Sequence, residues 1–127
     1  MTTLTFQTLS LNEQGSVATI TLVAPHSSMT MIKEFNKLMD YLEDESTARI
    51  VVLQGVDDRF NLGLDFKEFH PNKGVDIYGF HKWEKMCVRL ERLRALTISV
   101  LNGSTVGGGV QLALCTDLRI AHPNTTF

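Results

Sequence analysis

The chain has 127 residues, 43% of them hydrophobic and 20% charged, with a formal net charge of −2. That is room for a single domain over residues 1–127, and the balance gives no electrostatic reason to expect nucleic acid or an anionic membrane as partner. The apolar runs, such as Ile50 to Leu53, are far too short for a bilayer, the N-terminus lacks the basic start and apolar core of a secretory signal, and Cys87 and Cys115 form no CxxC pair. The expected setting is therefore reducing and cytoplasmic, without a disulfide framework or zinc knuckle.

Leu4 to Leu11 and Ser16 to Val23 read as two strands joined by a turn at Asn12-Glu13-Gln14-Gly15. In the second run Ala18, Ile20 and Leu22 alternate with Thr19 and Thr21, which predicts one buried face and one wet face. The period then changes. Ile32, Phe35, Leu38 or Met39, and Leu42 recur at helical steps, with Ser28 or Thr30 as candidate cap. Ile50-Val51-Val52-Leu53 predicts a strand covered on both faces. A polar turn at Asp57-Asp58-Arg59 follows, and His70 to Asp76, with Pro71 and Gly74, reads as loop. From Tyr78 to about Arg94 the helical period returns, with Trp83, Met86 or Cys87, Leu90 and Leu93 on one face. Lys82, Lys85, Arg89 and Arg92 form a basic face, expected to be solvated. Thr97 to Leu101 reads as a buried strand, Val110 to Cys115 as a short, fully buried helix, and Leu118 to Ala121 as a last strand. Strands alternating with helices predict an α/β fold with largely parallel pairing.

Gly103-Ser104-Thr105-Val106-Gly107-Gly108-Gly109 is the most informative stretch. Adjacent glycines between a strand and a helix are entropically costly, so they belong where backbone approaches something closely or takes positive φ. The free N–H groups of a helix start make such a turn suitable for an anion or oxyanion. The other reading is a tight glycine-packed turn without a ligand. A Walker A loop fails for lack of the lysine, and the dinucleotide fingerprint G-x-G-x-x-G is absent.

An earlier stretch, Phe60-Asn61-Leu62-Gly63-Leu64-Asp65-Phe66-Lys67-Glu68, joins this one. With Asn102-Gly103, Gly107-Gly108-Gly109, Leu112-Ala113-Leu114 and Asp117-Leu118-Arg119-Ile120-Ala121, it resembles the crotonase superfamily, the enoyl-CoA hydratase/isomerase family. That family carries F-x-x-G-x-D-hydrophobic-x-E and, later, N-G-x-x-x-G-G-G-x-x-L-A-L-x-x-D-L-R-I-A. The resemblance covers most of the chain and implies a crotonase-like spiral of repeated ββα units with largely parallel strands, incomplete at the C-terminus. It implies an acyl-thioester enzyme in which the Leu64 and Gly108 N–H groups form an oxyanion hole, supported by Gly63, Asp65, Gly107 and Gly109. Coenzyme A or phosphopantetheine enters as part of the substrate, no cofactor is tightly bound, and an acyl carrier protein is a further candidate partner. A homo-oligomer, trimer or hexamer, is expected from the family.

Two departures bear on the reaction. Hydratases of the family carry a glutamate three residues past the middle glycine, where this chain has Gln111. A neutral amide orients by hydrogen bonds but cannot act as a general base; a satisfied polar residue at a helix start is the other reading. The family's second acid would fall past Phe127. Isomerase-, dehydratase- or decarboxylase-like chemistry, in fatty-acid or polyketide metabolism, therefore fits better than ordinary hydration. A non-catalytic thioester-binding subunit, or an inactive fragment, is the alternative. On the coenzyme side, Val23-Ala24-Pro25 and Ser28-Met29 depart from the family's Asn-Arg-Pro and Asn-Ala. His26, His70, His81 and His122 show no metal-ligand spacing, and Asp65 is read as stabilising the turn that aims the Leu64 amide. Asp117 and Arg119 are read as structural, and Cys115 as a small core residue.

Overall fold

The computed structural model describes residues 2–69 and 77–127; the loop expected from His70 to Asp76 lies outside the described residues. Six strands form the main sheet: β1 (Thr2–Thr5), β2 (Leu9–Gln14), β3 (Val17–Leu22), β4 (Ile50–Gln54), β6 (Leu96–Leu101) and β8 (Leu118–Ala121), in the order β1-β2-β3-β4-β6-β8. The β1–β2 and β2–β3 pairings are antiparallel and the remaining three are parallel. A small separate parallel pair, β5 (Arg59–Asn61) with β7 (Ser104–Thr105), lies off this sheet. Helices α1 (Met29–Asp44), α2 (Ile77–Glu91) and α3 (Gly108–Leu114) complete the α/β fold.

The opening hairpins differ from the expectation. The first strand-like run is two strands, because the chain reverses at Phe6, whose N–H bonds the Leu9 carbonyl at 2.9 Å. The second strand continues through the expected turn to Gln14, so Gly15, at φ +62°, and Ser16 make the reversal. Polar Glu13 belongs in a strand here because its carboxylate accepts from the Tyr41 and Ser46 hydroxyls.

Leu9, Leu11, Ala18, Ile20, Leu22, Val51 and Leu53 point to one face of the sheet and share a core with the apolar stripes of α1 and α2. Ser28 caps α1, its side chain accepting from the Met31 N–H at 3.1 Å. No helix among the described residues covers the opposite sheet face. Ile50 and Val52 are half-buried, next to half-buried Thr19 and Thr21, because successive strand residues alternate sides and the helices pack on one side only. The expectation of a strand buried on both faces is corrected accordingly. The short α3 is likewise not fully buried. Gly109, Leu112 and Ala113 meet the core while Leu114 is 64% exposed. The outermost strand, β8, is exposed throughout, with Leu118 at 51% and Ile120 at 59%.

Lys82, Lys85 and Arg92 are exposed, but Arg89 is not simply solvated. Its guanidinium reaches across to α1, donating to Asp40 at 2.6 Å, to both Glu43 oxygens at 3.1 Å and to Asn36. Asp117 accepts from the Thr97 N–H and hydroxyl, and Arg119 donates to the Thr116 and Ala113 carbonyls. Among the described residues, no helix is long and apolar enough to cross a membrane.

Candidate active site

Loops leaving the carboxyl ends of β4 and β6 meet beside the β5–β7 pair, the end at which open α/β sheets commonly bind ligands. Leu64 of the first loop is bridged by Ser27, from the connection between β3 and α1: the Ser27 N–H donates to the Gly63 carbonyl at 2.8 Å, and the Asp65 N–H donates to the Ser27 carbonyl at 3.1 Å. Both neighbours of the Leu64 amide are thus engaged, while its own N–H has no acceptor among the described residues. In the second loop Gly109 N–H bonds the Val106 carbonyl, and Val110 and Gln111 N–H groups bond the Gly107 carbonyl. The Gly108 N–H again has no acceptor among the described residues.

These two amides border one small space. A Cβ built on Gly108 would lie 3.5 Å from the Leu64 nitrogen and 3.6 Å from the Gly63 Cα. One built on Gly63 would lie 3.2 Å from the Gly108 nitrogen and 2.9 Å from the Val106 oxygen. Gly63, at φ +90°, and Gly107, at φ +54°, take backbone conformations that side chains disfavour, which is what turns the flanking amides this way.

One residue ties the two loops together. Buried Asn61 accepts the Gly63 N–H on its Oδ1 at 2.9 Å and donates from Nδ2 to the Ser27 hydroxyl at 3.2 Å. Its main-chain carbonyl accepts the Val106 N–H at 3.0 Å, and a Cβ on Gly109 would come within 2.1 Å of that same oxygen. Close approach to Asn61 accounts for the third glycine of the run. Sequence reading gave Asn61 no role; its signal was a polar residue flanked by Phe60 and Leu62, inside the glycine motif.

Gln111 lies on the exposed side of α3, and its Oε1 accepts the Trp83 indole N–H at 3.0 Å. The same indole edge, at Cζ2, is 3.3 Å from the Cβ position of Gly108. Trp83, read from the sequence as a core residue, is buried and also walls the amide pair. One turn further along both helices the Cys87 thiol meets that of Cys115. The Cys115 contact and then burial push the Cys87 pKa up, so Cys87 stays a thiol. Cys115 itself is half-buried rather than a core residue.

Asp65 opens a turn, its carboxylate accepting the Lys67 N–H at 3.0 Å and its carbonyl accepting from Glu68 and Phe69. Glu68 binds the Met29 N–H at 2.8 Å at the start of α1, so these two carboxylates are engaged separately. His26, His81 and His122 are exposed, and His70 lies outside the described residues. Among the described residues no group of three or more His, Cys, Asp or Glu side chains could hold a metal ion. A cleft of about 490 Å³ bordered by Glu43, Arg49, Arg92 and Arg94 lies at the opposite, amino end of the parallel strands and includes none of the site residues.

Fold and site define an α/β protein in which two glycine-bearing loops bring together, at the carboxyl edge of the sheet, a pair of main-chain amides with no acceptor among the described residues. The chain belongs to the enoyl-CoA hydratase/isomerase family, whose model matches residues 12–127. It is 31% identical over 123 residues to a short-chain-enoyl-CoA hydratase of Clostridium acetobutylicum, covering 92% of this chain and 47% of that protein. It is 27% identical to a probable enoyl-CoA hydratase of Bacillus subtilis, covering 89% of this chain and 46% of the relative. The chain thus spans about half the length of these relatives. Among solved structures, an enoyl-CoA hydratase from Bacillus anthracis superposes with a TM-score of 0.86 at 25% identity, covering 94% of this chain and 49% of the other. An enoyl-CoA hydratase/isomerase from Marinobacter aquaeolei gives 0.82 at 26% identity, with 93% and 50% covered.

Proposed function

We propose that the protein acts on an acyl thioester, holding the thioester carbonyl oxygen between the Leu64 and Gly108 N–H groups while negative charge develops on it. The observation carrying this reading is a pair of amides with no acceptor among the described residues, set so close that a Cβ on Gly108 would lie 3.5 Å from the Leu64 nitrogen. An enolate oxygen bears charge that the ground-state carbonyl lacks, so donors fixed in advance favour the transition state over the substrate. Removing one such donor typically costs about 3 kcal/mol of barrier. The family, together with relatives described as enoyl-CoA hydratases, supports a coenzyme A thioester as substrate; a carrier-protein thioester presents the same carbonyl.

Within that chemistry, Gln111 argues against simple addition of water. Its amide donates and accepts hydrogen bonds but does not take a proton from water. Isomerase-, dehydratase- or decarboxylase-like reactions, in which the amide pair stabilises the enolate left by loss of a proton or carbon dioxide from the α-carbon, fit it better. The same substitution favours the second reading, a thioester-binding subunit without turnover. A homo-oligomer, trimer or hexamer, is the proposed assembly, and no tightly bound cofactor enters the scheme.

The test is turnover of enoyl, 3-hydroxyacyl and β-carboxyacyl thioesters, on coenzyme A and on carrier protein, by the protein and its Gly108→Val variant. The proposal expects thioester binding that the variant loses, with double-bond migration, dehydration or decarboxylation of at least one substrate. Fast hydration of crotonyl-CoA would overturn the reading of Gln111, and binding without any turnover would establish the subunit reading.

A further inference from the structure

Trp83 and Gln111 join α2 and α3 by a side-chain hydrogen bond beside the amide pair. An indole N–H donates and never accepts. The atom of Gln111 that faces it at 3.0 Å is therefore the carbonyl oxygen, and the usual ambiguity between the two ends of a side-chain amide does not arise. With Oε1 turned to the indole, the Nε2 end of Gln111, with its two N–H donors, makes no hydrogen bond among the described residues, on the exposed side of α3. Gly108 and Gln111 lie three residues apart, on one face of α3, and the indole edge that bonds Gln111 is 3.3 Å from where a Gly108 Cβ would stand. Buried on the α2 side, the ring is held by the core rather than by the ligand.

From this geometry we propose that Trp83 is a positioning residue: it holds the Gln111 amide by its oxygen so that the N–H end faces the bound acyl chain. The inference deepens the proposed function and rests on it, since it assumes that the acyl chain runs past Gln111 from the carbonyl held at Gly108. Its consequence is a preference for thioesters that carry an acceptor oxygen beyond the thioester carbonyl, such as a 3-oxo group, over chains with no such oxygen. Gln111 acts here as an orienting donor, and no proton passes through it.

The experiment compares dissociation constants of acetoacetyl-CoA and butyryl-CoA for the parent protein and for Trp83→Phe, Gln111→Leu and Gln111→Glu, by calorimetric titration. One hydrogen bond to a well-placed acceptor predicts a preference for acetoacetyl-CoA of about fivefold to tenfold in the parent. Trp83→Phe removes the N–H together with the pyrrole half of the indole but leaves an aromatic ring at this position, so the preference should fall most of the way to that of Gln111→Leu. Adding Gln111→Leu to Trp83→Phe should lower it no further. In Gln111→Glu the indole still has an oxygen to bind, but the group left facing the acyl chain is an acceptor, and the preference should reverse. Gln111 is exposed, so its variants test the idea even if Trp83→Phe proves unstable. Binding of both thioesters with a ratio unchanged in Trp83→Phe, or in Gln111→Leu, overturns the positioning role alone. Binding of neither thioester by the parent overturns the amide-pair reading and takes this inference with it.

Discussion

Gly108 and Gly109 are adjacent in the chain, yet a methyl group added to each meets different surroundings. At Gly108 the nearest neighbour is an aromatic edge at 3.3 Å, a contact that asks for a shift of only a few tenths of an ångström. Gly108→Ala is therefore expected to fold with near-parent stability while losing thioester affinity by tenfold or more, because the methyl occupies the space between the amides. At Gly109 the methyl would meet the Asn61 carbonyl oxygen at 2.1 Å, and backbone cannot step aside. Gly109→Ala should lose at least the ~1–3 kcal/mol typical of an overpacked interior. Urea unfolding alongside thioester titration separates the two outcomes, and equal destabilisation of both variants would contradict the assignment of space at Gly108. Trp83 is the single tryptophan of the 127 residues and lies against that space, so its emission should change as the parent binds a thioester.

Two contacts between elements carry measurable consequences. Glu34 on α1 anchors the segment between β1 and β2. Burial alone would raise its pKa, but donation from the Thr8 hydroxyl and the Gln7 and Thr8 amides outweighs burial and holds it below the ordinary glutamate value. A lowered folded-state pKa means stability that is present above the unfolded-state value and is lost as pH falls through the folded one. Acid titration of the unfolding free energy should thus show a decline below the normal glutamate range that Glu34→Gln flattens. The Arg89 bridge from α2 to α1 is the other contact. Arg89→Met should cost about 1 kcal/mol, because its partners Asp40 and Glu43 stand largely in water, at 67% and 42% exposure. The elements most legible in the sequence are those with strict periodicity. Ala18-Ile20-Leu22 and Ile32-Phe35-Leu38-Leu42 are buried as their spacing predicts, because period alone selects a face. Hydropathy failed at Ile50 to Leu53, since a run of apolar residues does not say how many layers cover it. The glycine motifs marked the loops now seen to meet. Asn61 and Trp83 were illegible as site residues because their roles depend on partners 34 and 28 positions away.

At the scale of the whole molecule, Leu114, Leu118, Ile120 and Phe127 are exposed apolar side chains, and β8 stands at an edge of the sheet as described. Unpaired strand edges and apolar patches promote association. The 127-residue chain by itself is expected to self-associate with rising concentration in sedimentation experiments and to bind a hydrophobic dye; a dye-silent monomer at high concentration would refute this. The Asn61 link has a different kind of consequence. It joins the two loops largely through main-chain groups, and every amino acid except proline supplies the same N–H at position 64. The proposed carbonyl grip is thus insulated from drift in the Leu64 side chain, whereas the Trp83–Gln111 contact is made by side chains and changes with them. Such a division suits a scaffold for diversification: libraries randomised at positions 83 and 111, with Asn61 and the glycines kept, should retain thioester capture while sampling new outcomes for the captured acyl group.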